Sequence, residues 1–195
     1  MRRAYNLFLV YAGLVYFLFF LVFNINSYFQ INTARLDPFQ LVLIGTTLEV
    51  SIFIFEIPTG VVADMYGRRL SVVCGVALMG VGFLLEGIRP LWGTILAAQV
   101  LWGMGYTFTS GALQAWLSDE IGEDAANAAF VRAAQIQQMG AFAGILCSTL
   151  LANIWIRLPY LISGGSLLLG AIALLMWMPE RGFKAIPWQE RRNGL

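Results

Sequence analysis

Six stretches dominated by apolar residues organise the chain, running from about Leu7 to Tyr28, Phe39 to Val62, Leu70 to Ile88, Leu91 to Leu117, Ala133 to Ile156 and Tyr160 to Met178. Each is close to the ~20 residues an α-helix needs to cross a hydrocarbon layer ~30 Å thick. None alternates at period two as barrel strands do, and in lipid the backbone amides must find partners within their own segment. The pattern predicts an all-α membrane protein of six transmembrane helices within residues 1–178, with 179–195 starting a polar linker. The apolar run from Leu7 to Phe23 is too long for a signal-peptide core, and no small-residue cleavage site follows it, so it is read as the first span. The connections read long, short, short, long, short. Helices one to three and four to six thus share a rhythm that a 3+3 inverted repeat would produce.

Polar side chains inside these segments are costly, about 2.5–3.5 kcal/mol for a charge on insertion scales, so their positions carry information. Glu49 and Glu56 stand seven residues apart on helix two. That spacing puts them on one face, ~10 Å apart along the axis, in a stripe with Gly45, Ile52, Phe53 and Gly60. Helix four repeats the pattern with Gln99, Gly103, Tyr106, Ser110 and Gln114, and helix five with Gln135, Gln138, Phe142, Thr149 and Asn153. These faces are expected to turn from lipid toward a polar cavity, making Glu49, Glu56, Gln99, Tyr106, Gln114 and Gln138 the candidate cavity or coupling residues. The alternative for the amides is a bond to a neighbouring helix, worth ~0.6 kcal/mol each. Helices three and six look almost wholly apolar at mid-depth apart from Ser163, Ser166 and several glycines, so they can face lipid. Closely spaced glycines (80 and 82, 103 and 105, 140 and 144, 164 and 165) predict close helix crossings.

Composition narrows the function classes. Hydrophobic residues make up 59% and charged residues 12%, against roughly 45–50% and 25% in soluble domains, so the lipid bilayer is the expected surroundings. A net charge of +1, with no basic stretch interleaved with aromatics, argues against nucleic acid as a partner. The chain has no histidine, and Cys74 and Cys147 both sit in apolar runs, which leaves no metal site, cofactor site or recognisable catalytic set. An enzyme is not expected. Arg2, Arg3, Arg68, Arg69, Arg132, Arg181, Lys184, Arg191 and Arg192 fall on one side, and Arg35, Arg89 and Arg157 on the other. That asymmetry predicts an integral plasma (inner) membrane protein with both termini cytoplasmic.

Between helices two and three the sequence reads Gly60, Val61, Val62, Ala63, Asp64, Met65, Tyr66, Gly67, Arg68, Arg69. Gly67 permits a tight turn, Asp64 is placed to cap the next helix, and the arginines anchor the cytoplasmic face. This stretch resembles the signature loop of major facilitator superfamily transporters, G-x-x-A-D-x-x-G-R-R. Ser110 to Asp119 is similar to helix four of exporters in that family, and Met178–Pro179–Glu180 resembles its exit from helix six.

The resemblance implies the N-terminal six-helix half of a secondary transporter that moves a small-molecule substrate by alternating access. It implies a cytoplasmic gate motif of Gly60, Asp64, Gly67, Arg68, Arg69 and Asp119, with Asp119 as the partner of Arg68. Export of drugs or other small molecules is the leaning. Two departures weaken proton-driven antiport: Gln99 stands where an arginine is common in helix four, and helix five lacks a glycine-proline pair. A complete facilitator has a second six-helix half, so the chain is expected to be a fragment or truncated product, incomplete alone. The alternatives are two copies pairing into one transporter, and a non-transporting scaffold or receptor.

Overall fold

The computed structural model describes residues 2–183; the remainder of the expected linker, with Lys184, Arg191 and Arg192, lies outside the described residues. The elements are α1 (Arg2–Phe23), α2 (Asn26–Asn32), α3 (Pro38–Tyr66), α4 (Arg68–Ile88), α5 (Trp92–Ile121), α6 (Glu123–Ile154) and α7 (Leu158–Trp177). Because α2 continues α1 after a break at Asn24 and Ile25, they form six long helical units. Four stretches (2–32, 38–66, 68–88 and 158–177) are long and apolar enough to cross a membrane by themselves. α5 and α6 are longer, at 30 and 32 residues, but more dilute in apolar side chains.

Local chemistry sets the boundaries. Asp37 caps α3 by accepting the Gln40 amide at 2.8 Å, while Gln40 Oε1 accepts the Asp37 amide at 3.0 Å, and Pro38 takes the first helical position. At the far end of α3 one residue, Gly67 (φ 120°, ψ 144°), makes the whole turn into α4. Gly122 (φ 87°, ψ 156°) likewise joins α5 to α6. Both glycines occupy backbone that other residues adopt only under strain.

The long connection expected between helices four and five is therefore absent. Residues 118–132, polar but rich in Ala and Glu, extend both helices instead of forming a loop. Polarity there reflects emergence from the apolar layer, whereas the backbone remains helical because these residues favour helix. The first connection is likewise short, a turn from Thr33 to Asp37 after α2.

α4 packs on α5 and α7, α1 on α6, α3 on α5, and α1 more lightly on α7. Exchanging the first three helical units for the last three maps α1–α6 onto α5–α3 and α4–α7 onto itself, as a 3+3 repeat requires, although α4–α5 packs far more extensively than its counterpart α1–α7. Several interfaces close on glycine. A Cβ at Gly75 would meet Gly105 O at 2.5 Å, one at Gly164 would meet Gly80 O at 2.7 Å, one at Gly103 would meet Ser51 Cβ at 2.9 Å, and one at Gly144 would meet Phe17 O at 2.5 Å. Gly140 lies hard against Gly13 O, while Gly165 faces open space.

Helix three, which its apolar surface would allow to face lipid, is instead largely covered by its neighbours as α4. Of its most apolar stretch 56% is buried within the protein, against 11% for α3. Its small residues admit α5 and α7 at backbone distance, and an apolar surface in lipid packs on whatever fits it best. Leu18, Leu21, Val72, Val76, Met79, Trp116 and Leu167 form the centre of the resulting core.

Candidate functional site

The predicted gate residues converge at the end of the bundle that carries Gly67. Asp64, in the last turn of α3, holds Arg68 across the turn, Oδ1 to Nη1 at 2.9 Å. Arg68 Nε reaches Asp119 Oδ2 on α5 at 3.6 Å. One arginine thus ties the ends of three helices. Asp64 was expected to cap α4, but it faces Arg68 from the preceding helix, and the N-cap position itself is Gly67, which has no side chain.

The cap comes from much further along the chain. Glu180 Oε1 accepts the Arg69 amide at 2.9 Å, and the Arg69 guanidinium donates to Met178 O at 3.4 Å. A carboxylate beside the first-turn amides suits the positive end of the helix dipole. Trp116 Nε1 donates to Pro179 O at 2.6 Å, and Glu120 Oε1 accepts the amides of Arg181 and, at 2.9 Å, of Gly182. Residues 178–182 are thereby strapped onto the starts and ends of α4 and α5. Nothing in the local sequence around Pro179 and Glu180 reveals the strap, because its partners lie on α4 and α5.

Gly60 lies on α3 beside a groove of about 280 Å³ bordered by Glu56, Asp64, Arg68, Ser110 and Gly111. Ser110 also borders a larger cavity of about 380 Å³ between α1, α5 and α6, lined by Tyr11, Tyr16, Phe19, Tyr106, Gln114, Phe130 and Gln137 among others. Its wall is largely aromatic and apolar, with a few phenol, hydroxyl and amide groups, a composition suited to orienting a small organic molecule.

The predicted cavity residues therefore divide. Tyr106 and Gln114 line the cavity, and Glu56 borders the groove. Glu49 and Gln138 are exposed on the outer faces of α3 and α6, and Gln137, one residue away, takes the inward position expected of Gln138. Gln99 turns the opposite way, into a buried polar cluster.

That cluster centres on Glu86 of α4, a single charge inside an apolar run and absent from the candidate residues named above. Glu86 is 3% exposed. Its carboxylate accepts Gln30 Nε2 at 3.0 Å and Gln99 Nε2 at 3.2 Å, and the Tyr160 hydroxyl lies 3.5 Å from Oε1 and 3.0 Å from Asn26 Oδ1. A charged residue within a span was the available signal. Its partners come from α2, α5 and α7, which no local spacing reveals.

Comparison with known proteins bears on this arrangement. A sequence profile of the Major Facilitator Superfamily matches residues 6–190. The chain belongs to this superfamily. An uncharacterized MFS-type transporter of Bacillus subtilis (strain 168), YxaM, is 25% identical over 142 residues, which make up 73% of this chain and 35% of that protein. The chain thus matches only about a third of that relative's length. Membership of the superfamily makes the bundle an all-α membrane domain of six helical spans.

Proposed function

We propose that the chain is the N-terminal half of a secondary transporter that carries a small molecule outward by alternating access. The observation that carries this reading is the adjacency of cavity and ion network: Ser110 borders both the 380 Å³ cavity and the groove holding Asp64 and Arg68. In this reading Asp64, Arg68, Arg69 and Asp119, with Gly60 and Gly67, form the cytoplasmic gate. Tyr106, Gln114 and Gln137 meet substrate, and the Gly67 end faces the cytoplasm. The six described arginines at that end (Arg2, Arg3, Arg68, Arg69, Arg132 and Arg181) favour this orientation.

A second six-helix half completes the substrate site. Its seat is the outer faces of α3 and α6, where Glu49, Phe53, Gln138 and Phe142 are exposed and each helix has one main neighbour. The test is accessibility labelling of single cysteines at positions 106, 110 and 114, in a variant with Cys74 and Cys147 replaced by serine. Water-soluble reagent should reach them, and Arg68→Ala should raise labelling from the Gly67 side. Positions sealed from water on both sides in every variant would sink the transporter reading. Cysteines at 53 and 142 crosslinked in native membranes should capture a second six-helix domain; a homodimer would replace that partner with another copy of the chain.

A further inference from the structure

The Glu86 cluster lies away from the cavity and the gate, among α2, α4, α5 and α7. We infer that Glu86 is a proton-binding site of this chain, taking up and releasing one proton within the buried cluster. The inference rests on the transporter reading for its purpose, while proton binding itself stands on the geometry of the cluster alone.

Three features of the geometry lead there. The carboxylate is buried and forms no ion pair among the described residues. The groups turned toward it are neutral from every side: Asn26 and Gln30 from α2, Gln99 from α5 and Tyr160 from α7. The charged groups nearby are otherwise engaged or turned outward. Arg157 donates to Ile88 O at 3.2 Å, Asp37 is held in the cap of α3, and Arg89 and Glu49 are exposed. An uncompensated carboxylate at such a place is held charged only by its hydrogen bonds.

The same atoms satisfy both states. With Glu86 ionised, Gln30 and Gln99 donate to its two oxygens, and the Tyr160 hydroxyl can turn between Asn26 Oδ1 and Glu86 Oε1. On protonation an O–H bond forms at Oε1, the proton coming from hydronium in the surrounding water, and the carboxyl goes from −1 to 0. That new O–H donates to the Tyr160 oxygen, while Tyr160 donates to Asn26. Only a hydroxyl rotates. A metal cation is the wrong occupant, because the Gln30 and Gln99 groups facing the carboxylate are N–H donors, whereas hard cations require converging oxygens.

The test is infrared difference spectroscopy of the purified chain in lipid nanodiscs as pH is stepped from mildly acid to mildly alkaline. A protonated-carboxyl stretch at the position of a buried group should appear and vanish with pH, be lost in Glu86→Gln and persist, displaced, in Glu86→Asp. Tyr160→Phe should move its midpoint, since the neutral form then lacks its acceptor. No pH-dependent band, or a band unchanged in the Glu86 variants, overturns the proposal. Should Glu86→Gln fail to assemble, the Asp variant decides alone: its band shifts if Glu86 is the group and stays put if it is not. The measurement needs no substrate, so its outcome stands apart from that of the labelling experiment.

Discussion

The two one-residue turns provide an internally controlled experiment. Gly67 and Gly122 share the same class of backbone, with φ of 120° and 87° and ψ of 144° and 156°, and alanine in either must bear ~1–3 kcal/mol of conformational strain. Their surroundings differ. A Cβ at Gly122 meets nothing within 4 Å, while one at Gly67 lies 2.7 Å from Glu180 Oε1, the oxygen that caps α4. Gly67→Ala should therefore also dislodge the cap, a loss of ~0.5–2 kcal/mol. At ~2–4 °C of Tm per kcal/mol for a protein of this size, Gly122→Ala should lower Tm by ~2–12 °C and Gly67→Ala by a further ~1–8 °C. The assay is thermal unfolding in one detergent at fixed protein concentration, for both alanine variants in the wild-type and Glu180→Ala backgrounds. In the second background the cap is already gone, so the excess cost at Gly67 should vanish. Equal losses at the two turns in the wild-type background, or an excess that survives Glu180→Ala, would refute the assignment of Glu180 as the cap.

Other substitutions probe the remaining contacts. Gly140→Val should separate α1 from α6 and cost several-fold more stability than Gly165→Val, which enters open space; Tm of the two proteins side by side checks this. Trp116→Phe keeps the buried ring but loses the bond to Pro179 O, so Tm should fall by the equivalent of ~1 kcal/mol, and proteolysis after residue 178 should quicken. Ser163→Ala removes a fully buried hydroxyl bonded to Leu18 O at 2.8 Å, and a loss well above ~0.6 kcal/mol in unfolding measurements would mean that this bond outweighs the usual interhelical one.

What the sequence could reveal divides along the range of the interactions. The turn at Gly67, the charge pair beside it and the glycine crossings rest on residues a few positions apart or on a side chain too small to mistake, and each was legible. Features that depend on a third or fourth helix were not. Glu180 caps a helix that begins 112 positions earlier, and Glu86 gathers its donors from three other elements. Helical rotation defeated finer assignments: one residue turns a side chain by ~100°, enough to exchange Gln138 for Gln137 at the cavity wall. Hydropathy alone also could not separate an apolar face against lipid from one against another helix, which is why the burial of α4 is not legible in its sequence.

The glycine-lined seam between α4 and α7 has a practical consequence for anyone measuring motion in this domain. With main chain against main chain at positions 80 and 164, and Leu84, Leu167 and Leu168 packed tightly beside them, the two helices have little room to shift and form a built-in ruler. Spin labels on their outward residues Val81 and Leu169 should report one narrow distance whatever the conformational state. Labels at Phe53 and Phe142, on helices anchored from one side, should broaden or jump, and the ruler tells rearrangement apart from tumbling.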